Sequence, residues 1–237
     1  MTMNEMPVKG AGPNDGNGLT GIDNMNRNKK MSTRKLTSLA LLAALAAILM
    51  FLETAIPFMP PFLKLDISEI PVLLGAFAFG PGSAIIIELI KNLIHLPFTQ
   101  TAGVGELANF LAGSMFAGTA GAVYRFMKNK KGAIIAMAAG TAAMTIFSSL
   151  FNYYFMLDFY AKFYGITMDD IVGMSAAVNI YVKDVKTLIV YAFIPFNIFK
   201  GFVAATITAI IYKRVSPFLH GKKRLKPAPA AVETPGH

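Results

Sequence analysis

The chain has 237 residues, of which 54% are hydrophobic and only 15% are charged. Soluble domains carry about 25% charged residues, so this composition favours a membrane protein embedded in a lipid bilayer. The formal net charge of +9 does not indicate nucleic-acid binding, because most basic residues lie between or beyond long apolar runs rather than along one polar surface.

The N-terminal part of the chain divides into a polar tail and a first membrane helix. Residues 1–35 are rich in Asn, Gly, Lys and Arg, so they are predicted to form a disordered tail. The uncharged run from Leu36 to Leu52 is about as long as a bilayer core requires, at roughly 20 residues per helix. Residues 57–66 contain three prolines, which remove backbone donors, so this segment is predicted to be a loop outside the hydrocarbon.

Five more helices are predicted beyond this loop. The apolar segment 67–95 is interrupted by Gly80-Pro81-Gly82 and predicts two short helices joined by a tight turn. The remaining apolar runs predict helices at 104–126, 133–157 and 187–212. The polar stretch 158–186 is too long for a bare turn, and we expect it to contain an interfacial helix. The sequence therefore predicts an all-α fold, a polytopic bundle of six transmembrane helices.

The distribution of basic residues predicts the orientation of this bundle. Most of the 22 Lys and Arg residues fall in the N-terminal tail, in the turn after the fourth helix, and beyond residue 212. With six spans these three regions lie on one side of the membrane, which the positive-inside rule identifies as the cytoplasm. We therefore expect a membrane domain at 36–215 between two cytoplasmic tails, 1–35 and the basic 216–237.

The motif content argues against an enzyme. The sequence contains no GxxxxGK[ST] phosphate loop, no HExxH and no GxSxG motif, and its three histidines are scattered. Cysteine is absent, which excludes disulfides, zinc-thiolate sites and iron–sulfur clusters. We expect no catalytic residue, no metal site and no ATPase site in this chain.

Polar side chains within the predicted helices are the candidate ligand contacts, because such groups are costly to expose to lipid. Asn197 and Lys200 are three residues apart and share one helix face near the middle of the sixth helix. Asn152 lies near the outer end of the fifth helix, where an interhelical hydrogen bond is an equally good interpretation. Burial of the Lys200 ammonium therefore predicts a protein, water or ligand partner for it.

Three other polar residues have simpler interpretations. Glu88 and Lys91 are spaced at i, i+3 and are expected to pair with each other. Glu106 opens the fourth helix, where a carboxylate favours the helix N-terminus, so a capping role is preferred to ligand binding.

The first helix carries two overlapping pairs of small residues four apart, Ala40 with Ala44 and Ala43 with Ala47. Such faces allow another helix to approach closely. The partner could be a helix of the same bundle or a separate membrane subunit.

Six motifs occur in order along the chain: PFMPPFLKLDISEIP at 57–71, FGP at 79–81, IKNL at 90–93, ANFLAG at 108–113, NY at 152–153 and IPFNIFKG at 194–201. Over residues 33–215 this ordered set resembles the riboflavin-binding S components of energy-coupling-factor (ECF) vitamin transporters. The resemblance implies a six-helix bundle with an outward-facing pocket that captures riboflavin for ATP-driven uptake. It also implies a transmembrane T subunit and two cytoplasmic ATPases as partners, with riboflavin as transported ligand and no cofactor.

The resemblance also implies roles for individual residues. Asn152, Asn197 and Lys200 match positions that hydrogen-bond riboflavin. Leu63, Lys64, Leu65 and Asp66 match the loop that closes over the flavin. Ala40 and Ala44 match the alanine motif that docks on the T subunit.

Other hypotheses remain open at this point. The chain could be an S component for another vitamin or for FMN, or a self-sufficient flavin carrier, although internal repeats that would favour such a carrier are not evident. In a membrane enzyme or scaffold, Asn197 and Lys200 would only connect helices.

Overall fold

The computed structural model describes residues 33–219, and side chains are described as far as Tyr212. The predicted tails lie outside the described residues, apart from 33–35 and 216–219, which are helical. The chain divides into two units, Met1–Leu36 and Thr37–His237. The first unit contributes only the start of one helix to the described residues, and the contacts discussed below belong to the second.

Helices make up most of the described chain. In chain order they are α1 (Thr33–Met50), α2 (Glu69–Phe79), α3 (Pro81–His95), α4 (Val104–Tyr124), α5 (Lys130–Phe151), α6 (Leu157–Tyr164), α7 (Met168–Ala176), α8 (Val185–Leu188) and α9 (Ile194–Leu219). A 3₁₀ turn, Leu96–Phe98, follows α3. Two π-helical turns, Asn152–Met156 and Ile189–Phe193, join α5 to α6 and α8 to α9. Each of these pairs therefore forms one continuous long helix.

Three helices of the described region are long and apolar enough to cross a membrane: Thr33–Met50, Lys130–Tyr164 and Val185–Tyr212. Helix α2 is apolar but shorter. Helix α3 has 15 residues and carries the charged residues Glu88 and Lys91. The structure thus supports a helical membrane protein.

The proline-rich loop contains a small hairpin that the all-helical prediction did not include. Strands β1 (Thr54–Ala55) and β2 (Lys64–Leu65) pair antiparallel, with Thr54 opposite Leu65. The three prolines lie in the connection between the strands, where no ladder donor is needed. The hairpin therefore fixes both ends of the loop.

The predicted break between the second and third helices is present. Gly80 has φ +93°, a backbone conformation that side chains with a Cβ rarely adopt, and Pro81 opens α3. Helix α4 packs closely on this turn, since a Cβ at Gly121 would lie 3.1 Å from the Pro81 Cα atom. The helices α2, α3 and α4 therefore meet at this turn.

The predicted polar segment 158–186 is more helical than expected. Helix α6 runs on to Tyr164 and ends at Gly165, which has φ +63°. Thr167 then begins α7 with a reciprocal capping box to Asp170. The predicted end at Leu157 was too early because the residues that follow it are compatible with a helix until Gly165.

The buried apolar side chains of the described residues form two clusters. The larger one contains residues of helices α1 through α5 and of α9, including Leu73, Ile87 and Phe116. The smaller one includes Leu63 from the hairpin loop together with Ile171 and Phe196, and it lies where α6 to α9 meet that loop. Residues of the smaller cluster also line the cavity described below, so this cluster positions the candidate site.

Candidate ligand-binding site

A cavity of about 370 Å³ lies among the hairpin loop, α4, the α5–α6 helix, α7 and α9. Small-molecule sites in proteins have volumes of roughly 300–1,000 Å³ and a mostly apolar wall with a few polar groups. This wall follows the same pattern, with aromatic residues such as Phe62, Tyr160 and Phe196 beside several amide and charged side chains. The cavity is therefore suited to an organic molecule of moderate size.

Six of the seven sequence-predicted binding residues line this cavity, namely Leu63, Lys64, Asp66, Asn152, Asn197 and Lys200. Leu65 does not belong to the wall and lies half-buried in β2. The fold thus brings together positions that are widely separated in the sequence, including Asp66 and Lys200, which are 134 residues apart.

Lys200 lies on the cavity wall with its ammonium held by fixed partners. Its Nζ donates to Asn109 Oδ1 at 2.8 Å and to Asp66 Oδ2 at 3.0 Å. Asp66 also accepts hydrogen bonds from the backbone amide and the hydroxyl of Ser68. Burial raises the pKa of the Asp66 carboxyl, but the ammonium groups of Lys200 and Lys91 outweigh it and hold that pKa well below its usual range.

A second buried lysine extends this network away from the cavity. Lys91 Nζ lies 2.9 Å from Glu69 Oε1 and 2.8 Å from Glu88 Oε1, and it donates to Ser68 Oγ at 2.8 Å. The predicted pairing of Glu88 with Lys91 is present, but the contact with Glu69 on α2 was not predicted. It has no signal in local sequence spacing, because 22 residues separate the two partners.

The two lysine clusters are connected. Glu69 Oε1 lies 3.8 Å from Lys200 Nζ as well as contacting Lys91. Asn109 Nδ2 donates to Asn92 Oδ1 at 3.2 Å, which joins α4 to α3. Because a buried charge without its partner is costly, this network restricts where the Lys200 ammonium can lie.

The two predicted asparagines sit at irregular helical turns. Asn152 begins the π-helical turn after α5. Asn197 lies in the first turn of α9, directly after the π-helical turn Ile189–Phe193. Their amide nitrogens donate to the carbonyls of Ser148 at 2.7 Å and Phe193 at 2.8 Å. Asn152 thus bonds within its own helix and not between helices. Both side chains keep their amide oxygens to accept from a ligand, and π-helical turns often mark functional sites.

Four polar residues at one end of the cavity, Glu53, Lys64, Gln100 and Tyr164, form a hydrogen-bonded group that we call the clasp. Lys64 forms an ion pair with Glu53 and donates to Gln100 Oε1 at 2.8 Å. Tyr164 OH donates to the Gln100 backbone carbonyl at 2.9 Å. These contacts tie the hairpin to the α3–α4 connection and to the end of α6.

A histidine and a glutamate that sequence reasoning kept apart meet beside this clasp. His95 Nδ1 lies 2.9 Å from Glu106 Oε1, while Thr99 and Thr101 donate to Glu106 Oε2 at 2.7 and 3.3 Å. Glu106 lies in the first turn of α4 as predicted, but its partners are side chains and Gly103 occupies the N-cap position. The signal was available, since His95 ends α3 and Glu106 begins α4 across a short connection.

The alanines of α1 divide between two faces. Ala43 and Ala47 are buried inside the bundle, whereas Ala40 and Ala44 are exposed. Leu41 is exposed next to them. One pair therefore packs within the chain and the other presents a close-approach surface outward.

Comparison with known proteins places this geometry in a family context. The family model described as ECF transporter, substrate-specific component, matches residues 34–212. The chain is 38% identical over 196 residues to the riboflavin transporter RibU of Staphylococcus aureus (strain TCH60), covering 83% of this chain and 95% of the relative. It is 30% identical over 197 residues to the riboflavin transporter FmnP of Bacillus subtilis (strain 168), covering 81% and 97% of the two chains.

A solved structure is also similar. The structure described as "Structure and mechanism of the S component of a bacterial ECF transporter" superposes with a TM-score of 0.64 at 36% identity. The match covers 81% of this chain and all of the other. The family match, over residues 34–212, therefore covers most of the described helical region and not one motif alone.

Proposed function

The chain belongs to the substrate-specific components of ECF transporters, and from this we propose that it captures riboflavin for uptake across the cell membrane. The observation that carries the proposal is that Asn152, Asn197 and Lys200 all line the same cavity. The names of the S. aureus and B. subtilis relatives, both riboflavin transporters, support the choice of ligand.

The chemistry of the wall suits a flavin. Isoalloxazine is flat and largely apolar, and aromatic rings line the cavity, with Phe62 centred 6.2 Å from Tyr160 and 6.1 Å from Phe193. The flavin edge has carbonyl oxygens and an imide N–H, while the ribityl chain offers hydroxyls. Lys200 can donate to an oxygen, and the amide oxygens of Asn152 and Asn197 can accept from N–H or O–H groups.

We further propose six membrane spans with the cavity open to the outside and both termini in the cytoplasm. In this arrangement α1, the α5–α6 helix and the α8–α9 helix supply three spans, and α2, α3 and α4 supply the others. Lys128, Lys130 and Lys131 then lie at the cytoplasmic end of α4 and α5, in agreement with the positive-inside rule.

Energy for uptake is proposed to come from a T subunit and two ATPases, since the sequence has no phosphate loop of its own. The exposed pair Ala40 and Ala44 is the proposed docking face, because small residues let a partner helix approach closely. Riboflavin uptake by cells that lack the T subunit and ATPases would contradict this part of the proposal and favour a self-sufficient carrier.

The first test is a visible absorption spectrum of the detergent-purified chain, followed by mass spectrometry of whatever denaturation releases. We expect a yellow protein that releases about one riboflavin per chain, as one cavity of this size implies. A colourless preparation that also fails to quench added riboflavin would reject the flavin and leave another vitamin as the candidate.

A further inference from the structure

We propose that the cavity selects an uncharged flavin against its phosphomonoester, and that Glu53 and Glu106 are the residues that determine this specificity. The inference rests on the proposed function, because it assigns the charge class of the ligand that the same cavity takes.

The basic groups of the wall are already neutralised. The carboxylate, lysine and histidine side chains among the described lining residues are Glu53, Lys64, Asp66, His95, Glu106 and Lys200. They form three pairs, each containing one carboxylate: Lys64 with Glu53, His95 with Glu106, and Lys200 with Asp66. Carboxylates thus outnumber the lysines in the wall, and within the described residues each lysine of the wall has an anionic partner.

Exposure indicates which end of the cavity a phosphate would occupy. The side chains of Lys64 and Glu53 are 27% and 24% exposed, whereas those of Lys200 and Asp66 are 7% and 6% exposed. A phosphomonoester carries about −1.5 to −2 charges at pH 7 and is costly to bury, so it belongs at the wetter end. That end is the one formed by Glu53 and Lys64. The Glu106 side chain is only 8% exposed, but it is joined to this end through Thr101, which follows Gln100, the hydrogen-bond partner of Lys64.

The carboxylates of Glu53 and Glu106 would both stay close to a phosphate bound at this end. Glu106 accepts hydrogen bonds from Thr99 and Thr101 and contacts His95 Nδ1, and hydroxyl donors of this kind favour an ionised carboxylate. Lys64 could reach a phosphate only by leaving Glu53, and the freed carboxylate would then repel the same phosphate. The ribityl chain of riboflavin is proposed to lie at this end, where its hydroxyls can donate to either carboxylate without an electrostatic cost.

The test compares riboflavin with FMN, using fluorescence quenching titrations of the purified full chain. The readout is the ratio of FMN affinity to riboflavin affinity, which cancels general losses of folded protein. Glu53→Gln and Glu106→Gln should each raise this ratio by roughly tenfold, the effect of one charge about 8 Å away at an intermediate dielectric constant. Lys64→Gln should lower the ratio by a similar factor, because it leaves Glu53 unneutralised. Added salt should reduce the difference in this affinity ratio between wild type and the Glu53→Gln variant, because it screens the charges.

Asp169→Asn provides the matched control. Asp169 is an exposed carboxylate on α7 outside the cavity wall, so its removal changes the net charge equally and should leave the ratio unchanged. If the wild-type chain binds riboflavin but neither glutamate variant changes the FMN-to-riboflavin affinity ratio, the inference is wrong and the proposed function still stands. If wild type binds neither flavin, the proposed function fails and this inference fails with it. A shift of equal size in Asp169→Asn would also overturn the inference, since it would reflect net charge and not the two wall carboxylates.

Discussion

Replacing Lys200 with methionine should weaken riboflavin binding by roughly 10- to 150-fold, because a hydrogen bond to a charged group is worth about 1.5–3 kcal/mol. Methionine keeps the length and apolar bulk of the side chain but removes the ammonium that lies on the cavity wall. The ligand would lose its charged donor, and Asp66 would lose a partner now 3.0 Å away.

The same change should also lower stability. Breaking a buried ion pair from one side costs about 3–5 kcal/mol when the remaining charge has no other partner. Asp66 keeps its two hydrogen bonds from Ser68, so we expect the loss to fall at or below the lower end of this range. Thermal unfolding of the ligand-free protein measures this loss separately from the affinity.

Lys91→Met is the matched control for this experiment. Lys91 is also fully buried and paired with Glu69 and Glu88, but it does not line the cavity. It should therefore lose at least as much stability as Lys200→Met and much less riboflavin affinity in the fraction that remains folded. Fluorescence quenching gives that affinity. Wild-type riboflavin affinity in Lys200→Met, or equal losses of affinity in both variants, would refute a direct role for Lys200.

Three further changes have distinct expected outcomes. Ala44→Phe adds bulk to the exposed alanine face and should abolish uptake in cells while quenching titrations show unchanged riboflavin affinity; parallel loss of both would contradict a docking role. Gly113→Ala should lower stability by about 1–3 kcal/mol in thermal unfolding, because its Cβ would lie 2.6 Å from the Glu88 carboxylate carbon, whereas Gly118→Ala has open space and serves as control. Thr167→Ala removes the capping box of α7 and should cost about 1 kcal/mol in the same assay, with no change expected if α7 does not depend on its cap.

The parts of the fold that local chemistry determines were predictable from the sequence. Gly80-Pro81-Gly82 marked the break between α2 and α3, because a positive φ at glycine and a proline at a helix start are local signals. The end of the fifth helix was placed too early, at Leu157, because the residues that follow are polar. These residues are nevertheless compatible with a helix, which continues to Tyr164 and ends at Gly165.

The candidate site divides in the same way. Asn197 and Lys200 share a helix face by their spacing, and both line the cavity. Their partners could not be derived from spacing, since Lys200 reaches Asp66 across 134 residues and Asn109 across 91. The residues of the loop were placed only by resemblance. Within β2, Lys64 lines the cavity and Leu65 does not, and the role of Leu65 in binding stays a prediction.

The buried charge network explains how an apolar bundle can hold one ammonium in a defined place. Apolar packing by leucine and phenylalanine fills the volume around a lysine but does little to fix the direction of its ammonium group. A lysine side chain also loses much rotamer entropy when it is held in one conformation. Asp66 and Asn109 fix the Lys200 ammonium from the hairpin loop and from α4, and Lys91 with Glu69 fixes Asp66 and Ser68 in turn. Each member is costly to bury alone, so a displaced loop or helix would leave an uncompensated charge. The network thus couples the position of the loop to the position of the Lys200 ammonium, and this coupling is strong because the charges are buried away from water.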